Sequence, residues 1–382
     1  MTTALAKVEQ IYSDRGRRAR DLKAGGKTVI GYFCSLTPTE LMTAADLVPY
    51  RIVASMNDPI TEAHGYLETI ACSFTRSALD LALKGNYSFL DGYVIPHACD
   101  NIVKLHDLWA HNVEHSYAHF LNVPHTLSSA SFEFFEAELG VFKTSLERFV
   151  GHEITAERLR QAVQVHNEQR ALVRRLYEFR KKDPPAISGA EMTKVIAAVI
   201  SRPADEANEL LKSVLAEVEG RGDGQQGGKA PRLMIYGTGN EETTFIEMVE
   251  GTGARVVVDD LCFGTRSFWY DVEVTGDPLT GIARAYLEKI NCPRTYRQSP
   301  GSHQEDLENR FGYISQFATD FNVDGIIFYI LRYCDTHAFD APDLKEYLEG
   351  KGIPVLNIEE EYPIGSLSRL KTRVEAFLEM IA

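Results

Sequence analysis

Short apolar runs alternate with amphipathic stretches along this chain, and they do so twice in the same order. Residues 28–33 (Thr-Val-Ile-Gly-Tyr-Phe) read as a buried strand, and 38–46 follow as a helix with Pro38 at its start. A strand over 50–54, a helix over about 74–84, a strand over 89–95, a helix over 101–110 and a strand over 117–123 complete the first run. The second run places a strand at 232–236, a helix at 241–250, a strand at 255–258, a helix at 279–290 and a strand at 325–331. A helix near 343–349 and a strand at 353–358 follow. Alternation at this spacing predicts parallel sheets with helices on their faces. Two echoes support the repeat: Asp91-Gly92 opens a strand that leads to Cys99-Asp100, and Asp324-Gly325 opens one that leads to Cys334-Asp335. The expected fold class is α/β, with two similar doubly wound, flavodoxin-like parallel-sheet halves and an intervening helical segment.

That segment covers about 132–219, where Leu159, Ala162, Val163, Leu172 and Val173 keep helical spacing and Pro184-Pro185 mark a break. Residues 220–228 (Gly-Arg-Gly-Asp-Gly-Gln-Gln-Gly-Gly) read as a flexible linker. A last helix is expected over 367–380. The expected division is 1–130 as a first α/β domain with an N-terminal helix, 131–228 as helical segment and linker, and 229–382 as a second α/β domain with a C-terminal helix. A chain of 382 residues is too long for one compact core.

The formal net charge of −14 works against nonspecific binding to nucleic acid or to an anionic membrane surface, since both need excess positive charge. No apolar run approaches the roughly 20 residues of a membrane helix. The N-terminus carries Lys7, Asp14, Arg15, Arg17 and Arg18 without an apolar core, unlike a signal peptide, so a cytoplasmic location is expected.

In that reducing compartment the six cysteines are buried small hydrophobes, reactive thiols or metal ligands, not a disulfide framework. Their places in the expected topology favour ligation. Ligands of open parallel sheets bind beyond the carboxyl ends of the strands. Cys34 follows the first strand, Cys99 the third, Cys262 the second strand of the repeat and Cys334 its third, while Cys72 opens a helix and Cys292 closes one before Pro293. No C-x-x-C pair exists, so the signal is topological and unlike a zinc ribbon or a ferredoxin.

Several motifs fall short. Gly26-Lys27-Thr28 ends like a phosphate loop, but Asp21 stands where Gly is needed and a strand follows where one should precede. Gly237-Thr238-Gly239 follows a strand, yet Glu242 breaks the dinucleotide fingerprint. His152-Glu153 meets Ala156 where a zinc protease needs His. His111, His115 and His119 step by four, but the run crosses from helix into strand and cannot keep one face. Glu359-Glu360-Glu361 closes a strand at the same sheet edge, as an acid, a ligand or a solvated loop.

Residues 31–41 (Gly-Tyr-Phe-Cys-Ser-Leu-Thr-Pro-Thr-Glu-Leu) and 71–77 (Ala-Cys-Ser-Phe-Thr-Arg-Ser) resemble the opening and first cluster segments of the 2-hydroxyacyl-CoA dehydratase and benzoyl-CoA reductase family. Pro96-His97-Ala98-Cys99-Asp100, Tyr333-Cys334-Asp335, residues 259–266, Asn291-Cys292-Pro293-Arg294 and Lys371-Thr372-Arg373 are similar to that family as well, so the resemblance spans nearly the whole chain. It implies a 4Fe-4S cluster on Cys72, Cys99 and Cys334. Where a relative also has cysteines at the positions of Cys34, Cys262 and Cys292, it implies a bridged 8Fe-9S double-cubane cluster; this chain has all six. It further implies one-electron reduction at very low potential, a separate dimeric iron–sulfur ATPase as activator, an acyl-CoA substrate, and either a larger homologous subunit or a second copy as partner. Arg51, Arg76, Arg266 and Arg294 become candidate ligand contacts, and Phe74, Phe263, Phe268 and Trp269 candidate walls of a dry pocket. The function expected first is ATP-dependent ring reduction of benzoyl-CoA or another aryl-CoA. A 2-hydroxyacyl-CoA dehydratase subunit and a homodimeric double-cubane reductase of small molecules are the alternatives.

Overall fold

The computed structural model describes residues 3–221, 230–239, 242–297, 299 and 301–381. Most of the expected linker and the expected helix start at 241 lie outside the described residues.

Two four-stranded sheets form, every ladder in them parallel. The first holds β1 (Val29–Tyr32), β2 (Val48–Arg51), β3 (Gly92–Pro96) and β4 (Tyr117–Leu121) in the order β2-β1-β3-β4. The second holds β5 (Arg232–Gly237), β6 (Arg255–Asp260), β7 (Gly325–Leu331) and β8 (Val355–Glu360) in the matching order β6-β5-β7-β8. The strands are short and apolar on both faces at the centre, as parallel strands covered by helices must be; β1, β3, β5 and β7 are buried at every position.

The repeat extends to side-chain chemistry. Asp91, just before β3, accepts from the N–H of Val29 at 2.8 Å, and its own N–H donates to the Val29 carbonyl at 2.8 Å. Asp324, just before β7, does the same to Arg232, at 2.8 Å and 2.7 Å. In each half one aspartate therefore fixes the central strand pair at the end away from the site, and Gly92 follows where an added Cβ would meet the Tyr117 carbonyl oxygen at 2.2 Å.

Packing interleaves the two runs. Helix Ala4–Ser13 packs on Gly189–Val199 and Ala204–Gly220, and Ala156–Glu178 packs on both Thr39–Ala44 and Ala204–Gly220. Helix Pro278–Arg284 lies on Ser129–Val150, and Ile282, Tyr286, Leu287 and Ile290 join the core around the first sheet.

Four elements depart from expectation. β2 begins at Val48, so residues 52–54 continue past its end, although Ile52 still donates to the Tyr32 carbonyl at 3.0 Å. The helix expected near 343 starts directly after Cys334 and runs Asp335–Gly350, with Pro342 inside it; that proline concealed the first two turns. Residues 279–290 divide into Pro278–Arg284 and a π turn, Ala285–Lys289. Helix His303–Asp320 was not anticipated, although Ser302 and Glu305 form a full capping box at its start.

Candidate metal centre

All six cysteines line one cavity of about 690 Å³, reached from the carboxyl ends of both sheets. Cys34 leaves β1 in the left-handed region at φ 59°, and Tyr333, at φ 64°, turns the chain into Cys334. Cys72, Cys99 and Cys334 are the N-cap residues of helices Ser73–Leu83, Asp100–Asn112 and Asp335–Gly350. All three line the cavity with a helix N-terminus behind them, and the first-turn N–H groups favour the charged form of each sulfur. Cys34, Cys262 and Cys292 stand on loops instead.

The thiols influence one another as two triplets. Cys72 is affected by Cys334 and Cys99, and Cys99 by Cys334. Cys262 is affected by Cys34, and Cys292 by Cys262 and Cys34. Cys34 with Cys99, and Cys262 with Cys334, link the two sets. Burial pushes the Cys99 thiol up to about 12, with neighbouring thiols adding to it, and lifts Cys72, Cys262, Cys292 and Cys334 in the same direction. Such thiols become thiolates when a metal supplies the compensating charge.

Among the described residues no three His, Cys, Asp or Glu side chains converge on a position for a single metal ion. A mononuclear thiolate site brings every sulfur within about 2.3 Å of one ion. A polynuclear iron–sulfur body spreads its thiolates around a larger volume, and six unpaired thiols on all walls of one cavity fit that donor geometry.

Behind the sulfurs lies a buried polar network. Arg266 pairs with Asp260 at 2.9 Å, faces Cys262 Sγ at 3.5 Å and donates to His337 Nε2 at 2.8 Å. Burial and the Arg266 charge hold His337 well below the usual histidine range, so its proton sits on Nδ1, 3.5 Å from Cys334 Sγ. One arginine thus serves a cysteine of each triplet. Tyr313 donates to Asp260 at 2.9 Å and completes the network. His337, Asp260 and Tyr313 were not singled out from sequence; the available signal was that His337 lies three residues past Cys334, on the first turn of a helix.

The other expected arginines differ in role. Arg294 spends its guanidinium on the carbonyls of Ala98, Pro124, His97 and Val123 and so braces the loops after β3 and β4. Arg76 pairs with Glu361 at 2.9 Å, and Glu360 pairs with Arg369 at 2.6 Å, which accounts for two of the three glutamates as ion-pair partners. Arg51 lines the cavity between the rings of Tyr32 and Phe263, at 5.3 Å and 4.5 Å. Phe74 and Phe263 line the thiol cavity, and Phe268 lines the space next to it. Trp269 does not: its ring packs on Tyr177 at 5.3 Å and Phe317 at 5.1 Å. His111, His115 and His119 occupy a helix end, a turn and a strand, the last stacked on Phe142 at 4.6 Å.

The sequence profile of the family described as 2-hydroxyglutaryl-CoA dehydratase, D-component, matches residues 34–381. The chain belongs to this family. Among family relatives, a benzoyl-CoA reductase subunit of Thauera aromatica is 26% identical, covering 100% of this chain and 99% of the relative. The (R)-phenyllactyl-CoA dehydratase beta subunit of Clostridium sporogenes is 24% identical over 95% and 94%, and the (R)-2-hydroxyglutaryl-CoA dehydratase beta subunit of Acidaminococcus fermentans is 24% identical over 94% of each. Family membership therefore reaches across both sheets and every cysteine.

Proposed function

We propose that this chain is the iron–sulfur subunit of a low-potential reductase in the cytoplasm, with all six thiolates holding a bridged double-cubane cluster. The observation that carries this reading is the single cavity lined by all six free thiols. Such a cluster supplies single electrons at very low potential. The chain's own residues exclude water with Phe74 and Phe263, hold Cys262 and Cys334 in place through Arg266 and His337, and set three sulfurs at helix N-termini. No complete phosphate-binding motif is present, so electron delivery is assigned to a separate iron–sulfur ATPase, and the isolated chain is expected to hydrolyse no ATP. The partner is a homologous larger subunit or a second copy.

Two relatives' names favour acyl-CoA chemistry, either aryl-CoA ring reduction or 2-hydroxyacyl-CoA dehydration. The presence of all six cysteines keeps a homodimeric double-cubane reductase of small molecules as the alternative. The test is anaerobic purification with iron and sulfide counts, followed by assay with activator, ATP and a low-potential donor. Benzoyl-CoA, a 2-hydroxyacyl-CoA and small reducible molecules are offered in parallel. Bound zinc without iron or labile sulfide sinks the cluster reading. Turnover of only one thioester assigns the chain to that branch.

A further inference from the structure

We infer that the polar pocket beside Cys34 and Cys262 is a binding subsite for a small oxyanion, a carboxylate or an inorganic oxyanion, gripped by Arg51 and Ser35. The pocket shares Cys34, Arg51, Cys262 and Phe263 with the thiol cavity and extends from it toward Tyr32, Ser35 and Gln169.

Arg51 is 5% exposed, and its guanidinium makes no ion pair with a carboxylate among the described residues. Its Nε–H is buried with no hydrogen-bond partner in the protein. A buried cation without a carboxylate partner is unfavourable; the Cys262 thiolate offsets the Arg51 charge in part, and a bound anion would complete the compensation. Tyr32 and Phe263 hold the planar group by its faces, which leaves its edge, the part that grips two oxygens at once, for a ligand. Ser35 Oγ lies in the same lining, also buried and without a partner.

The remaining charges around the pocket are already balanced. Arg170 pairs with Glu40, and Tyr286 donates to the same carboxylate at 2.8 Å. His166 is held to about 4 by burial and stays neutral. Arg266 hydrogen-bonds to Cys262, whereas Arg51 acts on that thiol through its charge alone. Two donors without a partner, Arg51 Nε and Ser35 Oγ, and one cation without a carboxylate partner therefore belong to the lining of one small polar space. That the bound anion is the molecule reduced rests on the low-potential reductase reading; that it binds rests on Arg51 and Ser35.

The experiment is isothermal titration calorimetry of the anaerobically purified chain, irons counted, with acetate, nitrate and chloride as probes. It is repeated on Arg51→Gln, Arg51→Lys and Ser35→Ala, each checked by circular dichroism. Acetate or nitrate is expected to bind and chloride not to. Arg51→Gln should weaken binding about tenfold or more, and Arg51→Lys should recover only part of it, because a point charge lacks the planar fork. Ser35→Ala should weaken binding about threefold and keeps the proposal falsifiable if Arg51→Gln does not fold. Preference for acetate over nitrate assigns a carboxylate, and the reverse an inorganic oxyanion. In the reduced protein the bound anion should shift the electron paramagnetic resonance spectrum. Absence of binding by either oxyanion, with about eight irons present, overturns the subsite and leaves the cluster reading standing. Arg51-dependent binding to a chain that holds no iron does the opposite. A change of redox potential in Arg51→Gln without any anion binding also overturns it, since Arg51 would then serve the thiolates alone.

Discussion

Arg266 holds one N–H 3.5 Å from the sulfur of Cys262. It can do so only because Asp260, itself buried, fixes the guanidinium at 2.9 Å. Burial would lower the arginine's pKa, but the Asp260 and Cys262 charges outweigh that and hold it well above its usual value. Arg266→Gln strands a buried carboxylate and should cost about 3–5 kcal/mol, measured by urea unfolding under anaerobic conditions. A loss under 1 kcal/mol would show that Asp260 is already compensated by Tyr313.

The paired aspartates test the repeat. Asp324→Ala removes a charge-assisted bond to the Arg232 N–H and should cost about 1.5–3 kcal/mol. Asp91→Ala removes the equivalent bond to Val29 and an ion pair with Lys23, so its loss should be at least as large. Equal unfolding midpoints for either variant and the unaltered chain would refute a shared structural role.

The aspartate echo was readable in the sequence because it combines a strand-opening Asp-Gly with a cysteine at the far end of the same strand. The parallel α/β class and the cysteines' positions after strands follow from the same local alternation. What sequence concealed is long-range. Asp260 ends β6 and His337 lies on the first turn of the helix after β7, and Arg266 bridges them only because β6 and β7 flank β5 in one sheet. Trp269 follows Phe268 directly, yet one residue in a helical turn is about 100° of rotation, enough to send its ring to Tyr177 instead of the site. Helix His303–Asp320 was legible too: Leu307, Phe311, Ile314 and Ala318 keep helical spacing behind the Ser302–Glu305 cap.

Acid sensitivity should arise in part from His119. Burial holds it at about 4, the nearby His106 adds to the effect, and its Nε2 is enclosed without a partner. The unfolded chain takes up a proton near the ordinary value of about 6.5, whereas the folded chain does not until about 4. Stability contributed by neutral His119 is therefore complete above about 6.5 and is lost as pH falls toward 4. His119→Phe, packed on Phe142, should flatten the unfolding free energy between those pH values. An unchanged slope would move the sensitivity to the other histidines that burial holds low, His125 and His166 at about 4 and His337 well below its ordinary value.

Iron stoichiometry distinguishes one cluster from two. If only the three helix-capping cysteines ligate, the chain should hold about four irons, and Cys262→Ser should leave that number unchanged. If both triplets ligate, the count should be about eight, and Cys262→Ser should remove roughly half of it or empty the site. The proposed double cluster requires the second outcome; Cys262 shares the cavity with Cys334 and is tied to it through Arg266 and His337. Cys99→Ser is the matched control: Cys99 caps a helix and is affected by both Cys334 and Cys34, so its loss should lower the count under either arrangement. Counting iron and acid-labile sulfide in the unaltered chain, Cys262→Ser and Cys99→Ser, with electron paramagnetic resonance of each reduced sample, gives three numbers that only one arrangement satisfies. Four irons in the unaltered chain with no change in Cys262→Ser would confine the cluster to the helix N-termini and leave Cys34, Cys262 and Cys292 as wall residues.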